Sequence, residues 1–315
     1  MTAEPRQTGD DQSSRTTDVD VRRPSPADCV SKPLSIGRCA TLACLLEAIA
    51  AKPGNVHRGA DFEDLTFADF AVSAAAIGPV MENAAGAGVG ETALAAVRAT
   101  RQLVETNTNL GIVLLLAPLA AVPRDRGLRE GVGEVLRALT PGDSQRIYEA
   151  IRHAQAGGMG RVDEMDIADK PPADVLVAMQ AAAERDLVAR QYANRFEEVF
   201  RLVVPWLEEG GRSGSPLTTN IVHTHVRLLA EIPDSLIARK CGAATAREAS
   251  ARAAKVLAAG APDDDVESDY YLALGELDFW LRSDGHRRNP GTTADLVTAG
   301  LFCALRDNVV RPPFR

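Results

Sequence analysis

Aromatic residues are scarce, at 4% of 315 residues, and only two are tryptophan. Any core must therefore be aliphatic, and 45% of the chain is hydrophobic, much of it Ala, Leu and Val. That is enough to bury a sizeable core. Long apolar runs are absent. The longest, Leu110 to Val122, is interrupted by Gly111 and Pro118. It falls short of the roughly 20 residues a membrane span needs, so it reads as a buried core helix and no membrane partner is expected. Cysteine is sparse: Cys29, Cys39, Cys44, Cys241 and Cys303 form no C-x-x-C pair. An odd, unpatterned set excludes a disulfide framework, gives no support to a zinc site and suits a reducing, cytoplasmic location. No apolar stretch follows the first charges, so a signal peptide is not expected. Positive charge is not in surplus either. A net charge of -8 argues against a nucleic-acid face, while still allowing a small cationic pocket for one triphosphate.

Ala and Leu lose little rotamer freedom in helices, and from Leu34 onward the pattern is helical. The reading is an all-α fold, a single compact multi-helix domain over residues 34–315, preceded by a disordered polar tail over residues 1–33. That tail carries Pro5, Pro24, Pro26 and Pro33 and cannot bury enough apolar area to offset its ordering entropy. An arm on a partner subunit is the alternative. Helices are expected over residues 36–51, 66–77, 91–104, 110–121, 128–139, 143–154, 172–206, 216–232, 234–259, 266–284 and 293–308. Gly78-Pro79 is taken as the stop of the second. The connections are short except at 79–90 and 157–171, which favours antiparallel neighbours.

Five polar segments exceed what a helical core requires. Lys52-Pro53-Gly54 leads through His57 and Arg58 to Asp61, Glu63 and Asp64. Cations there can meet phosphate oxygens and carboxylates can hold Mg²⁺; on the bare segment the first reading is a helix-stopping loop with solvated charges and a capping Asp64. Asn107, Thr108 and Asn109 precede the most apolar helix. They are either caps for its orphan N–H groups or part of an anion site. Gly157, Gly158 and Gly160 allow close backbone approach to a ligand but lack the ending of a P-loop. His223 and His225, two residues apart, do not share a helix face. One is expected to be buried and hydrogen-bonded, the other exposed. Thr292 and Asp295 open the last helix in the manner of a capping box, and Asp295 could also face a metal.

Taken in order, these segments resemble the triphosphoribosyl-dephospho-CoA synthase family. The family's elements read approximately PKPGLVD, HxDM, NTHKG, DTN and SPGGSADL. Here the counterparts are Lys52-Pro-Gly, the acidic patch to Asp64, Asn107-Thr108, Thr219-Asn220 and the Asn289–Leu296 stretch. The likeness spans residues 40–310. It implies an enzyme that joins ATP to dephospho-CoA and expels adenine, with Mg²⁺ on the triphosphate and a ribose 2′-hydroxyl as nucleophile. It also implies roles by position. Lys52, Asn107, Thr108 and Asn220 would bind nucleotide or phosphate, and Asp64 and Asp295 would hold metal, Asp64 also serving in catalysis. Beyond the matched motifs, Arg58, Asn109, Gly157 and Gly158 are further candidate phosphate contacts, and His57 is a candidate for acid–base work. Partners are then small nucleotides, with a homo-oligomer left open.

The departures are at charged positions. Asn109 and Leu110 stand where the family has His and Lys, and His57 stands at the aspartate of PKPGLVD. Thr218 replaces the aspartate of DTN, and Asp61 or Phe62 the histidine of HxDM. The wording resembles a divergent branch seen in archaea and C1-metabolising bacteria. Two alternatives therefore stand beside the family reaction. One is a related transferase or hydrolase with another acceptor in pterin-type C1 cofactor synthesis. The other is a non-catalytic helical binding protein.

Overall fold

The aliphatic run Leu110–Ala120 lies at the centre of the computed structural model, with every residue but Gly111 buried. Residues 1–2, 33–154, 171–263 and 265–314 are described, and the elements below belong to one unit, Pro33–Arg315. The expected tail and the Gly157-Gly158 segment lie outside the described residues, apart from the tail's ends. In chain order the helices are α1 (Ile36–Ile49), α2 (Phe67–Glu82), α3 (Ala84–Ala87), α4 (Val89–Arg101) and α5 (Leu110–Ala120). Then come α6 (Leu128–Arg137), α7 (Pro141–Ala154), α8 (Val175–Ala182), α9 (Leu187–Asn194) and α10 (Val204–Ser213), the last entered through a π-helical turn at Val199–Val203. The series ends with α11 (Leu217–Glu231), α12 (Ser235–Cys241), α13 (Ala243–Ala258), α14 (Asp269–Arg282) and α15 (Gly291–Arg306). Among the described residues the one named extended segment is Ser283–His286. The fold is all-α, as the composition and the family resemblance imply. No helix among the described residues is long and apolar enough to cross a membrane.

A larger core joins α1, α2, α4, α5, α7, α9 and α15, and a smaller one, around Val226, Ile237, Ala249 and Leu277, joins α11 to α14. Tyr192 of α9 ties into the larger core by donating from its hydroxyl to Leu114 O of α5 (2.7 Å).

Several expected boundaries move. α2 runs through Gly78-Pro79 to Glu82. Pro79 lies near the helix end, where one lost backbone bond costs little, and Asn83 Nδ2 donates back to Pro79 O (3.0 Å). The expected 79–90 loop is mostly helical, broken only at Asn83 and at Gly88, whose φ is +85°. The single helix expected over 172–206 is three shorter pieces. Asp174 and Asp186 cap new starts, and Arg195 turns left-handed with φ +61°. Gly242, at φ +90°, divides the helix expected over 234–259.

Thr292 does not cap the last helix. That task falls to Asp234, a fully buried carboxylate. Its Oδ1 accepts from Leu236 N (2.8 Å) and Ile237 N (3.0 Å), capping α12. Its Oδ2 accepts from Thr293 N (2.7 Å) and Thr293 Oγ1 (2.8 Å) at the start of α15. One side chain thus satisfies orphan donors of two helices. Thr292 Oγ1 instead accepts from Ser235 Oγ (3.1 Å). The histidine pair also differs from expectation. His225 is buried with neither ring nitrogen hydrogen-bonded to a described residue, while the half-buried His223 meets Tyr270 Oη through Nδ1 (3.1 Å).

Two outcomes follow for stability. Asp234→Asn places an NH₂ against one pair of donors, so urea unfolding should show a loss of about 1–3 kcal/mol. Burial holds His225 down from 6.5 to about 3. Between those values the unfolded chain binds a proton that the folded chain does not. His225 therefore makes stability fall as pH drops through that window, by up to about 1.4 kcal/mol per pH unit. Unfolding of His225→Leu at pH 7 and pH 5 should show a shallower acid loss than wild type; an equal slope would refute this.

Candidate active site

Three helix starts converge beside one cavity. Asp234 holds the first turns of α12 and α15 together, and Asn107 Oδ1 caps α5 by accepting from Leu110 N (3.1 Å). The cavity has a volume of about 640 Å³. Its lining is mixed. Leu114, Ile151, Met179, Ala182 and Val188 with Tyr148 contribute apolar surface. Glu47, Asp64, Glu105, Asp186 and Asp295 line it together with Arg101, Arg185, Arg239 and Lys240. Convergent charges beside an apolar recess are what a binding site requires and a folded core does not. Thr106 Oγ1, Asn289 Oδ1 and Arg239 Nε are buried wall atoms with no hydrogen-bond partner among the described residues. Such orphans ask for a ligand or water.

Asp295 sits one turn into α15 with its carboxyl against α5. A Cβ added at Gly111 would lie 2.0 Å from Asp295 Oδ2, so only glycine admits this packing. Burial, then the neighbouring Glu47 carboxylate, push the Asp295 carboxyl well above the usual range, against a weaker pull from Arg239. Asp295 is partly exposed and lines the cavity, and no hydrogen bond or ion pair ties it to a described residue. Glu47, buried in α1, is raised by burial and lowered by Lys52, whose Nζ lies 3.0 Å from Oε1.

At the mouth, His286 Nδ1 lies 2.9 Å from Asp64 Oδ1. Phe62 packs edge-on against His286 with ring centroids 5.6 Å apart, and the Arg282 guanidinium covers Phe62 at 5.2 Å. Deeper in, Arg239 and Asp186 form an ion pair. Asp186 Oδ1 also caps α9 by accepting from Val188 N and Ala189 N, which fixes the pair in the wall. Lys240, half-buried, is lowered by burial against the pull of Asp64.

The structure brings Asp64, Asn107, Thr108, Asn109 and Asp295 to this cavity. Thr108 is bound to Ser73 Oγ (2.6 Å) and Asn109 Nδ2 donates to Thr100 Oγ1 (3.0 Å), so both side chains are engaged by neighbouring helices. Lys52, His57, Arg58 and Asn220 are not in the lining. Lys52 is completely buried and directs Nζ to Glu47 and to the carbonyls of Glu47 and Ala50. His57 Nδ1 accepts from Gly59 N (3.1 Å), and burial lowers its pKa, helped by Arg282. Arg58 is exposed. Asn220 Nδ2 donates to Leu207 O (2.8 Å), stitching α11 to α10. Gly157 and Gly158 lie outside the described residues. Sequence reasoning missed Arg101, Arg185, Asp186, Arg239, Lys240 and His286. Arg239-Lys240 at the end of a capped helix was the one available signal. Among the described residues no group of three or more His, Cys, Asp or Glu is placed to hold a metal.

A family model described as CitG, ATP:dephospho-CoA triphosphoribosyl transferase, matches residues 33–313. A solved structure from Archaeoglobus fulgidus, described provisionally as a triphosphoribosyl-dephospho-CoA synthase, is 27% identical. It aligns with a TM-score of 0.59 over 77% of this chain and 99% of its own. No curated protein sequence matches.

Gly111→Ala should cost about 1–3 kcal/mol in urea unfolding, the range for a forced overpacking. Gly111→Ala combined with Asp295→Ala should recover most of that loss in a double-mutant cycle. Additive losses would mean that the two residues do not touch.

Proposed function

The chain belongs to the ATP:dephospho-CoA triphosphoribosyl transferase family, and from that premise we propose that this cavity holds the adenine-expelling transfer. The observation that carries this is the meeting of four cations and an unpartnered carboxylate in one recess that also has apolar lining. A triphosphate needs the first, a sugar that turns cationic needs the second, and a flat heterocycle suits the third.

Arg101, Arg185, Arg239 and Lys240 supply the positive field for the phosphates. Glu47 and Asp295 form an oxygen-only pair of neighbouring carboxylates, each raised by its burial. Such a pair fits Mg²⁺ better than zinc or copper, because Mg²⁺ takes one or two carboxylates and fills its remaining positions from phosphate and water. When bound, the ion would neutralise charge on the triphosphate. The carboxylates also face the place where positive charge develops as the ribose C1′–N9 bond breaks.

The acceptor 2′-oxygen attacks C1′, and adenine leaves with the electron pair of the broken bond, taking a proton from solvent. Asp64 accepts from or pairs with His286 Nδ1 and so orients the imidazole, leaving Nε2 to take the hydroxyl proton. Geometry of this kind, a carboxylate holding a histidine, suits general-base work. The acid–base pair is then Asp64–His286 in place of Asp64 and His57. The departure at Asn109 and Leu110 supports a second reading, a related transferase with another acceptor. That loop contributes no cation, and the positive charge comes from α4, α12 and the α8–α9 connection instead.

The test is adenine release, followed by chromatography, from Mg-ATP and dephospho-CoA. Wild type should release adenine in step with acceptor consumed. His286→Asn should lower kcat by about 10²-fold or more while leaving the KM for ATP near wild type. Release from ATP with other hydroxyl acceptors, and none with dephospho-CoA, would favour the second reading. No release with any acceptor would refute the transfer.

A further inference from the structure

Behind the cavity wall lies a second, more open recess of about 480 Å³ between the α8–α9 connection and the starts of α12 and α13. Four arginines line it: Arg185, Arg190, Arg239 and Arg247. Only two carboxylates, Glu184 and Asp186, accompany them in that lining. In a chain of net charge -8, this is a local excess of positive charge, which draws anions to the recess.

Their donors are largely unspent. Arg247 is exposed and makes no hydrogen bond or ion pair with a described residue. Arg185 gives one bond, to Ala181 O (3.2 Å). Arg190 gives one to Ala183 O (3.0 Å) and stands 4.0 Å from Glu198. Arg239 gives one guanidinium nitrogen to Asp186. The first turn of α13 also opens here, through Ala243 and Ala246. No side chain caps it, so its free N–H groups add to the arginine field.

Arg185, Asp186 and Arg239 line both recesses. The Asp186–Arg239 ion pair is therefore a partition between them. We propose that this arginine recess is a second oxyanion site, taking a phosphate or diphosphate group apart from the triphosphate in the cavity. The inference rests on the cavity being the nucleotide site. The family reaction brings two phosphate-bearing substrates together, so one phosphate field is not enough. An anion in the recess competes with Asp186 for Arg239 and so reaches the cavity wall.

The test titrates inorganic pyrophosphate into the full-length protein by calorimetry, with wild type and Arg247→Glu. Arg247 lines only the second recess and is exposed, so its replacement spares the core. Arg247→Glu should weaken or remove one pyrophosphate-binding component by about tenfold or more, as expected when a charge-assisted contact is reversed, and leave ATP affinity unchanged. Arg190→Gln should act in the same direction. If both variants bind pyrophosphate as wild type does, the site does not exist. The adenine-release assay separates the sources of the anion. A raised KM for dephospho-CoA with an unchanged KM for ATP assigns the site to the acceptor's diphosphate. Loss of pyrophosphate binding with both KM values unchanged assigns it to a free anion. The calorimetry needs no turnover, so failure of the transfer reaction leaves it readable. Normal adenine release beside unchanged pyrophosphate binding sinks this inference alone.

Discussion

One buried carboxylate sets the register of two charged walls of the cavity. Asp234 accepts four hydrogen bonds, two from the start of α12 and two from the start of α15. Burial pushes its carboxyl up, and the four donors pull it back down. Without such a cap, both helix starts would leave N–H groups unsatisfied in the interior. The two helices it joins carry opposite charges to the same place: α12 brings Arg239 and Lys240, and α15 brings Asp295. Their spacing is inherited from a single side chain, which is more rigid than two independent loops would be.

The second constraint is the Glu47–Lys52 pair. Both groups are buried, and removing either would leave the other charged and unpaired, which is strongly destabilising. Lys52 spends its donors on Glu47 and on backbone carbonyls of its own turn. It therefore closes the end of α1 and keeps Glu47 in place at the cavity floor. Its position in the KPG triplet marks a residue that supports the site from behind. Cations that face the cavity come from elements far apart in the chain, Arg101 at the end of α4, Arg185 before α9, and Arg239 and Lys240 in α12.

The helical class and most helix positions were readable because Ala- and Leu-rich periodicity acts locally. Boundaries failed where a distant partner decided them. The helix start capped by Asp234 in place of Thr292 is the example; the helix through Pro79 continues for a local reason, with Asn83 bonding back to Pro79 O. The break at Gly242 was a different failure, since a left-handed glycine inside a helical pattern can be read either way. Within the site, Asp64, Asn107 and Asp295 were legible from motif order. His286 was not, because a lone histidine in an Arg-rich stretch carries no signal until Asp64 is seen beside it.

From residue order alone came the all-helical class, the family, and the set of loop-ends carrying polar residues. These depend on local propensity and on short motifs that survive in one dimension. Which of those residues face a common space was settled only by packing. Lys52 and Asn220 turned inward to hold helices, and arginines that no motif marked came to wall two recesses. Side-chain direction depends on neighbours brought together across the whole chain, and no spacing rule contains that information.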